Sequence, residues 1–331
     1  MIDIDCFVDL PSEPHGSMPR ASILGEQSPS RHHHHQKEIE IVRPLNKAKF
    51  SVYLATYKNS QERFAVKVFP IKEEAAQIYF KNEIRFSVLE HPNVVRTIEI
   101  QPDIHVCYGE TSKRVSCIVT EFAPFGDAFQ FISKHHKNLS ENFLRTFFRD
   151  LIEGLEYIHS QKVAHLDLKL ENMLVGEDCR VKIADFDLSC HFRDTHLKTK
   201  GSRCFRAPEM ISQKCKDPCA ADIYSAGIVL FVMKCGGVLP HTEEMLLKDI
   251  NLYKLLYNNN PEFWRMHCLI QKKAPSFFSD EFKELFIGMT EIDATERFTI
   301  ADIKDSAWYN GPTLSNKEMK DSVKNLPSSS N

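Results

Sequence analysis

Two short stretches of this 331-residue chain carry oxygen-bearing side chains at close spacing. In His165-Leu166-Asp167-Leu168-Lys169-Leu170-Glu171-Asn172 an aspartate is followed five positions later by an asparagine, and Val181-Lys182-Ile183-Ala184 leads into Asp185-Phe186-Asp187. A loop offering Asp167 and Asn172, beside a short strand that ends at Asp185, can aim three oxygens at one point. Oxygen donors of this kind suit Mg2+. Upstream, Ala65-Val66-Lys67 sets an amine on an alternating strand, and Glu83 lies in the helical run that follows. Taken singly, Lys67 reads as a solvated strand lysine, Glu83 as an exposed helix charge, and Asp185-Phe186-Asp187 as an acidic turn.

The elements that would carry these residues change character along the chain. Between Ile41 and Phe122 lie short β-rich runs, 50–55, 63–69, 94–100 and 116–122, with one helical interruption, 73–90. From Asp127 onward, helical periodicity dominates 127–137, 140–160, 220–234, 246–257, 279–290 and 299–307, with Ser140 and Ser279 placed as N-caps. A β-rich part followed by an α-rich part predicts an α+β molecule with a ligand cleft between its halves.

Composition narrows the function. Apolar residues make up 42% and charged residues 26%, as in folded soluble domains. With 42 Lys and Arg against 45 Asp and Glu, the net charge of −3 favours neither nucleic acid nor an anionic membrane as a partner. The longest apolar run, Ala226 to Met233, is far below the roughly 20 residues of a bilayer span, and no secretory signal stands at the start. The ten cysteines form no Cys-x-x-Cys pair and read as reduced thiols of a cytoplasmic protein, with the nucleus left open. Residues 1–36, with several prolines and serines, read as a disordered tail, and His32 to His35 within it as a solvated tract rather than a metal site. Residues 311–331 read as a second tail with a short helix near Lys317 to Lys324.

In one order along the chain, these segments resemble the signature of the eukaryotic protein kinases. Ala65-Val66-Lys67 is similar to the family's Val-Ala-Ile-Lys strand, 165–172 to its His-Arg-Asp loop, Asp185-Phe186-Asp187 to Asp-Phe-Gly, and Ala207-Pro208-Glu209 to Ala-Pro-Glu. His91-Pro92-Asn93, Asp222-Ile223-Tyr224-Ser225-Ala226-Gly227 and Arg297, the partner expected for Glu209, extend the match. The resemblance implies a bilobal kinase domain over 37–310, with an N-lobe at 37–122 and a C-lobe at 123–310. It implies ATP and Mg2+ as cofactors and a protein substrate; oligomeric state is left open.

Residue by residue, the resemblance implies that Lys67, held by Glu83, clamps the α- and β-phosphates, and that Asn172 and Asp185 hold Mg2+. Asp167 would orient and deprotonate the substrate hydroxyl. Lys169, two residues on, is the serine/threonine-type feature, and the run 168–172 is similar to the calcium/calmodulin-dependent and sucrose-nonfermenting-like branches. ATP would also meet Leu45, Asn46, Ala48, Phe50, Ser51 and Val52 of the phosphate loop, then Ala65, Glu121, Ala123, Asp127 and Leu174, with Thr120 as gatekeeper. Glu171, with Asp127, would favour basic residues upstream of the acceptor.

Three departures bear on activity. No glycine occurs between Gly25 and Gly109, so the phosphate loop, where the family reads Leu-Gly-x-Gly-x-x-Gly-x-Val, lacks the close backbone approach that glycine allows. Either Asn46, Ala48 and Ser51 fill the glycine positions, or Val52 aligns with the family valine and the loop is one residue shorter; the aromatic Phe50 is expected at the loop tip. Leu166 replaces the arginine that pairs with a phosphorylated activation segment, leaving Thr199 as the nearer phosphosite there. Asp187 replaces the glycine of Asp-Phe-Gly, and aspartate is among the few residues that tolerate positive φ. Two functions follow: an active serine/threonine kinase, or a pseudokinase acting as a nucleotide-sensing or scaffold module.

Overall fold

A computed structural model of the chain describes residues 21–24, 39–46, 50–108, 111–194, 203–241 and 252–327. Its first part is an antiparallel barrel in the strand order β1-β2-β3-β4-β6-β5. The strands are β1 (Ala21–Leu24), β2 (Ile39–Pro44), β3 (Val52–Tyr57), β4 (Arg63–Pro70), β5 (Thr97–Tyr108) and β6 (Thr111–Glu121). Alternation sends Ala55, Phe64, Val66, Cys117 and Val119 into one apolar layer within the barrel. The opposite face of β4 and β6 meets α1 (Glu74–Glu83), where Ala76, Tyr79 and Phe80 pack on Phe69 and Ile118. After α1 the chain tightens into a 3-10 turn at Ile84–Phe86, so the helical run is shorter than expected and Phe86 is turned into the core of the second lobe.

β1 corrects the reading of 1–36 as wholly disordered. Ser22 pairs with Glu40 and Ile23 with Val106, so β1 takes up backbone groups that would otherwise stand open along the edges of β2 and β5. Four residues in a stretch of Pro and Ser give no alternation long enough to announce a strand.

The second part is helical around α3 (Glu141–Ser160) and α5 (Pro218–Lys234). Ser140 caps α3 by accepting the Phe143 N–H at 3.2 Å, and the stripe Phe143, Phe147, Leu151, Leu155 and Ile158 is buried. α5 starts with Asp217 as N-cap and Pro218 in the first turn, and every residue from Ala221 to Lys234 is buried, as a helix apolar all round requires. A Cβ on Gly227 would stand 2.9 Å from Thr290 Cγ2, so glycine permits the close crossing of α5 with α8 (Asp280–Met289). Around them lie α2 (Ala128–His135), α4 (Pro208–Ile211), α6 (Leu252–Tyr257), α7 (Glu262–Ile270) and α9 (Ile300–Asp305). Two short two-stranded sheets, β7 (Val163–Ala164) with β10 (Cys190–His191) and the hairpin β8 (Met173–Val175) with β9 (Val181–Ile183), carry the loops that face the first lobe. The molecule is thus α+β and bilobal.

Two further differences concern the helices. α7 was not expected, because Leu269 and Ile270 are exposed and blur its apolar stripe. The C-terminal segment is docked, not loose. Arg145 donates to the Trp308 and Pro312 carbonyls, each at 2.7 Å, Leu314 N donates to Thr146 Oγ1 at 3.0 Å, and α10 (Asn316–Lys324) buries Met319 in the core.

Candidate active site

The cleft between the lobes has a volume of about 630 Å3. Its roof is the barrel. β3 and β4 pair Val52 with Lys67, and the alternation that buries Phe64 and Val66 in the barrel turns Ala65 and Lys67 to the cleft. Lys67 Nζ donates to Glu83 Oε2 at 2.6 Å and to Asp185 Oδ1 at 2.7 Å. Burial by itself pulls the ammonium's pKa down, but the carboxylates of Asp185, Glu83 and Asp187 outweigh it and hold Lys67 above its ordinary value. Burial likewise pushes Asp185 up, and Lys67 more than offsets it, leaving Asp185 below the usual carboxylate range. For Glu83 burial prevails and its pKa is raised.

The floor is built by the loop after β7. Asp222, wholly buried in α5, accepts the backbone N–H groups of His165 at 2.7 Å and Leu166 at 2.8 Å, and meets His159 Nε2 at 3.0 Å. That grip holds Leu166 at φ +63°, a left-handed conformation that a non-glycine residue adopts only when its surroundings impose it. Asp167 Oδ2 then accepts from Lys169 Nζ and from Asn172 Nδ2, both at 2.8 Å. Lys169, lowered by burial, is raised overall by the Asp167 charge. Asn172 also donates to the Asp167 carbonyl at 2.8 Å, which leaves its amide oxygen as the atom able to ligate a cation.

Behind Asp185, Ala184 N donates to Asn172 O at 2.8 Å and His165 Nε2 lies 2.9 Å from Ala184 O, so the two acidic segments are bonded to each other. The left-handed residue of this turn is Asp185 itself, at φ +66°. Asp187 is not among the residues with positive φ, so the turn does not draw on the tolerance expected of that aspartate. The Asp187 carbonyl accepts from Asn82 Nδ2 at 3.0 Å, and Ser189 O accepts from the same amide at 2.9 Å. Asn82 therefore ties α1 to the segment after Asp185. Nothing in the sequence marked it, because its partners are backbone atoms more than 100 residues away.

Towards the open end, Leu45, Val52, Ala65, Thr120, Glu121, Ala123 and Leu174 line the cleft. Asp127 caps α2 by accepting the Gln130 N–H at 2.8 Å, and burial raises its pKa. Glu171 is also raised, first by burial and further by Asp127 and Asp167, so these acidic groups share one end of the site.

The phosphate loop takes the shorter of the two expected registers and departs from expectation at Ser51 and Phe50. Leu45 N donates to Val52 O at 2.8 Å and both residues line the cleft, the register of the shorter loop. Ser51 is exposed and does not line the cleft, while its carbonyl accepts the Val68 N–H at 2.9 Å. Asn46 lines it, but its Oδ1 accepts Val52 N–H at 3.1 Å, a side chain closing the hairpin. Phe50 is buried rather than at the tip of a flap. Ala48 lies outside the described residues, as do Thr195, Thr199, Ser202 and the run His32 to His35.

Among the described residues no three His, Cys, Asp or Glu side chains group as a metal cage. The oxygens available to Mg2+ are the Asp185 carboxylate and the Asn172 amide oxygen, which fit a hard cation that keeps several waters. No helix among the described residues is long and apolar enough to cross a membrane.

Comparison with known proteins places this geometry. A family model described as protein kinase domain matches residues 47–309. CBL-interacting protein kinase 26 of Oryza sativa subsp. japonica is 33% identical over 282 residues, covering 82% of this chain and 52% of that protein. CBL-interacting serine/threonine-protein kinase 2 of Arabidopsis thaliana is 30% identical over 296 residues, covering 86% of this chain and 59% of its own. SNF1-related protein kinase catalytic subunit alpha KIN12, also of Arabidopsis thaliana, is 31% identical over 265 residues, 78% of this chain and 48% of its own. The chain spans about half the length of the curated relatives it matches.

Proposed function

We propose that this chain, which belongs to the protein kinase family, transfers the γ-phosphoryl group of ATP to a serine or threonine hydroxyl of a protein. The observation that carries the reading is the continuity of the polar set. Lys67 is bonded to both Glu83 and Asp185, and Asp167 is bonded to both Lys169 and Asn172. Phosphoryl transfer passes through a loose, in-line transition state, so such a site acts by positioning and by neutralising charge.

In this reading Lys67 binds the α- and β-phosphates, with Glu83 fixing its direction. Asp185 and Asn172 hold Mg2+, which when bound screens the phosphate oxygens. Asp167 accepts the proton of the acceptor hydroxyl, and Lys169, already 2.8 Å from Asp167, faces the transferring group. Adenine lies between Ala65 and Leu174 against Glu121 to Ala123, with Asp127 near the ribose. Glu171 and Asp127 favour a basic residue upstream of the acceptor, by charge-assisted hydrogen bonding. In a peptide library that preference should weaken with Glu171→Ala; an unchanged profile would remove Glu171 from the reading.

A second reading, a pseudokinase that senses nucleotide or scaffolds a partner, is favoured by one feature, the phosphate loop. It has no glycine, and the Phe50 side chain is buried against Phe69 and Tyr79. The test is a thermal shift with ATP, with and without Mg2+, followed by transfer from γ-labelled ATP to a generic protein substrate. Metal-dependent stabilisation with transfer supports the kinase; stabilisation without transfer supports the pseudokinase.

A further inference from the structure

Phe50 stands where a side chain is least expected. With Leu45 and Val52 facing each other across the loop, Val52 takes the valine place of Gly-x-Val, and the last glycine place falls on Phe50. The ring is 7% exposed. Its centroid lies 4.7 Å from that of Phe69 on β4 and 5.6 Å from that of Tyr79 on α1, in one apolar cluster with Phe80, Ile118 and Leu188. Lys67 Nζ lies 5.8 Å from the Phe50 centroid and 5.3 Å from that of Phe69, within range of a cation–π attraction. One side chain of the loop therefore reaches α1, the strand bearing Lys67 and, through Leu188, the segment after Asp185.

We propose that Phe50 is a positioning residue for the Lys67–Glu83 pair. Tyr79 and Glu83 are four residues apart on α1 and share its cleft-facing side. A ring packed on Tyr79 fixes that side against β4 and so fixes where the Glu83 carboxylate meets Lys67. The tilted pairs that Phe50 makes with Phe69 and Tyr79 add to the apolar burial, and aromatic pairs prefer particular angles, which gives the wedge direction as well as adhesion. Glycine at this place would give the backbone closer approach to phosphate but nothing to hold α1. At this place packing on α1 stands where the family has phosphate contact, and Asn82, about one turn further along the same helix, fixes it through the Asp187 and Ser189 carbonyls.

The kinetic arm of the test rests on the kinase reading; the structural arm does not. Amide exchange over residues 76–83 should rise at least tenfold in Phe50→Gly and return most of the way in Phe50→Leu. In the same proteins kcat should fall at least tenfold in Phe50→Gly, with KM for ATP changed less than threefold, and recover in Phe50→Leu. Unchanged exchange in Phe50→Gly would overturn the proposal. So would tighter ATP binding with kcat retained, which would mean that the ring occupies phosphate space. If Phe50→Gly does not fold, a double-mutant cycle of Phe50→Leu and Tyr79→Leu decides: non-additive exchange is expected, and additive exchange overturns the coupling. If the wild type transfers no phosphate, the kinase reading fails while the exchange arm still judges Phe50.

Discussion

Lys67 keeps its charge in a buried setting because two carboxylates meet it within 2.7 Å and the rings of Phe50 and Phe69 lie nearby. Removing the ammonium leaves Glu83 and Asp185 facing one another without a cation. Lys67→Met should therefore cost about 2–3 kcal/mol in urea unfolding, below the value for a fully buried pair because Asp185 is partly exposed. Adding Glu83→Gln should recover much of that stability and none of the phosphate transfer; a double variant as unstable as the single would mean that the loss comes from packing. At this scale the sequence was informative where chemistry and order coincide, as for Lys67, Glu83, Asp167, Asn172 and Asp185. It was uninformative where a residue acts through backbone partners, as for Asn82. At Asp187 the expected tolerance of positive φ is not drawn on, since the positive φ of that turn belongs to Asp185.

α1 is the element on which the site turns, because it carries Glu83 and is bonded to the second lobe through the Asn82 amide. Asn82 Nδ2 supplies both bonds, to the Asp187 and Ser189 carbonyls, in a buried setting. Asn82→Ala leaves two buried carbonyls without that donor and should cost about 1–3 kcal/mol. It should also lower kcat at least tenfold with a smaller effect on KM for ATP. Steady-state kinetics showing only a change in KM would place Asn82 in nucleotide binding instead. The main elements were legible because their periods are long and regular, as in α3 and α5. β1 and α7 were not: β1 exists because two strand edges need covering, and α7 exposes part of its own apolar side. Neither cause is local.

Across the whole molecule, the second lobe is held by groups far apart in sequence. Arg297 Nη1 and Nη2 meet the two Glu209 oxygens at 2.6 and 3.0 Å, and Arg145 binds the C-terminal segment to α3. The α10 helix could be foreseen as a helix; its docking could not, since the partner atoms are carbonyls and hydroxyls of ordinary residues. Two buried histidines make this lobe sensitive to acid. Burial lowers His241 and His267 from the ordinary 6.5 to about 4; His267, whose ring packs edge-on against Phe231 and Phe263, further depresses His241, while the Pro240 carbonyl partly offsets the fall at His267. A folded pKa below the unfolded one contributes stability that is complete above 6.5 and is lost as pH falls towards 4. Urea midpoints should decline across that window, and His267→Gln should flatten the decline; an identical pH profile in the variant would remove His267 as its source.

The claim that joins these scales is that Asp167 receives the proton of a protein hydroxyl while Lys67, Asn172 and Asp185 hold Mg·ATP. Phosphate transfer from γ-labelled ATP, measured beside ATP binding in the wild type and in Asp167→Asn, addresses it most directly. The expected result is transfer by the wild type, a loss of about 10^2- to 10^4-fold in Asp167→Asn, and ATP affinity within a few-fold of the wild type. Folded wild-type protein that binds Mg·ATP and transfers nothing, or an Asp167→Asn variant that transfers as well as the wild type, would contradict it.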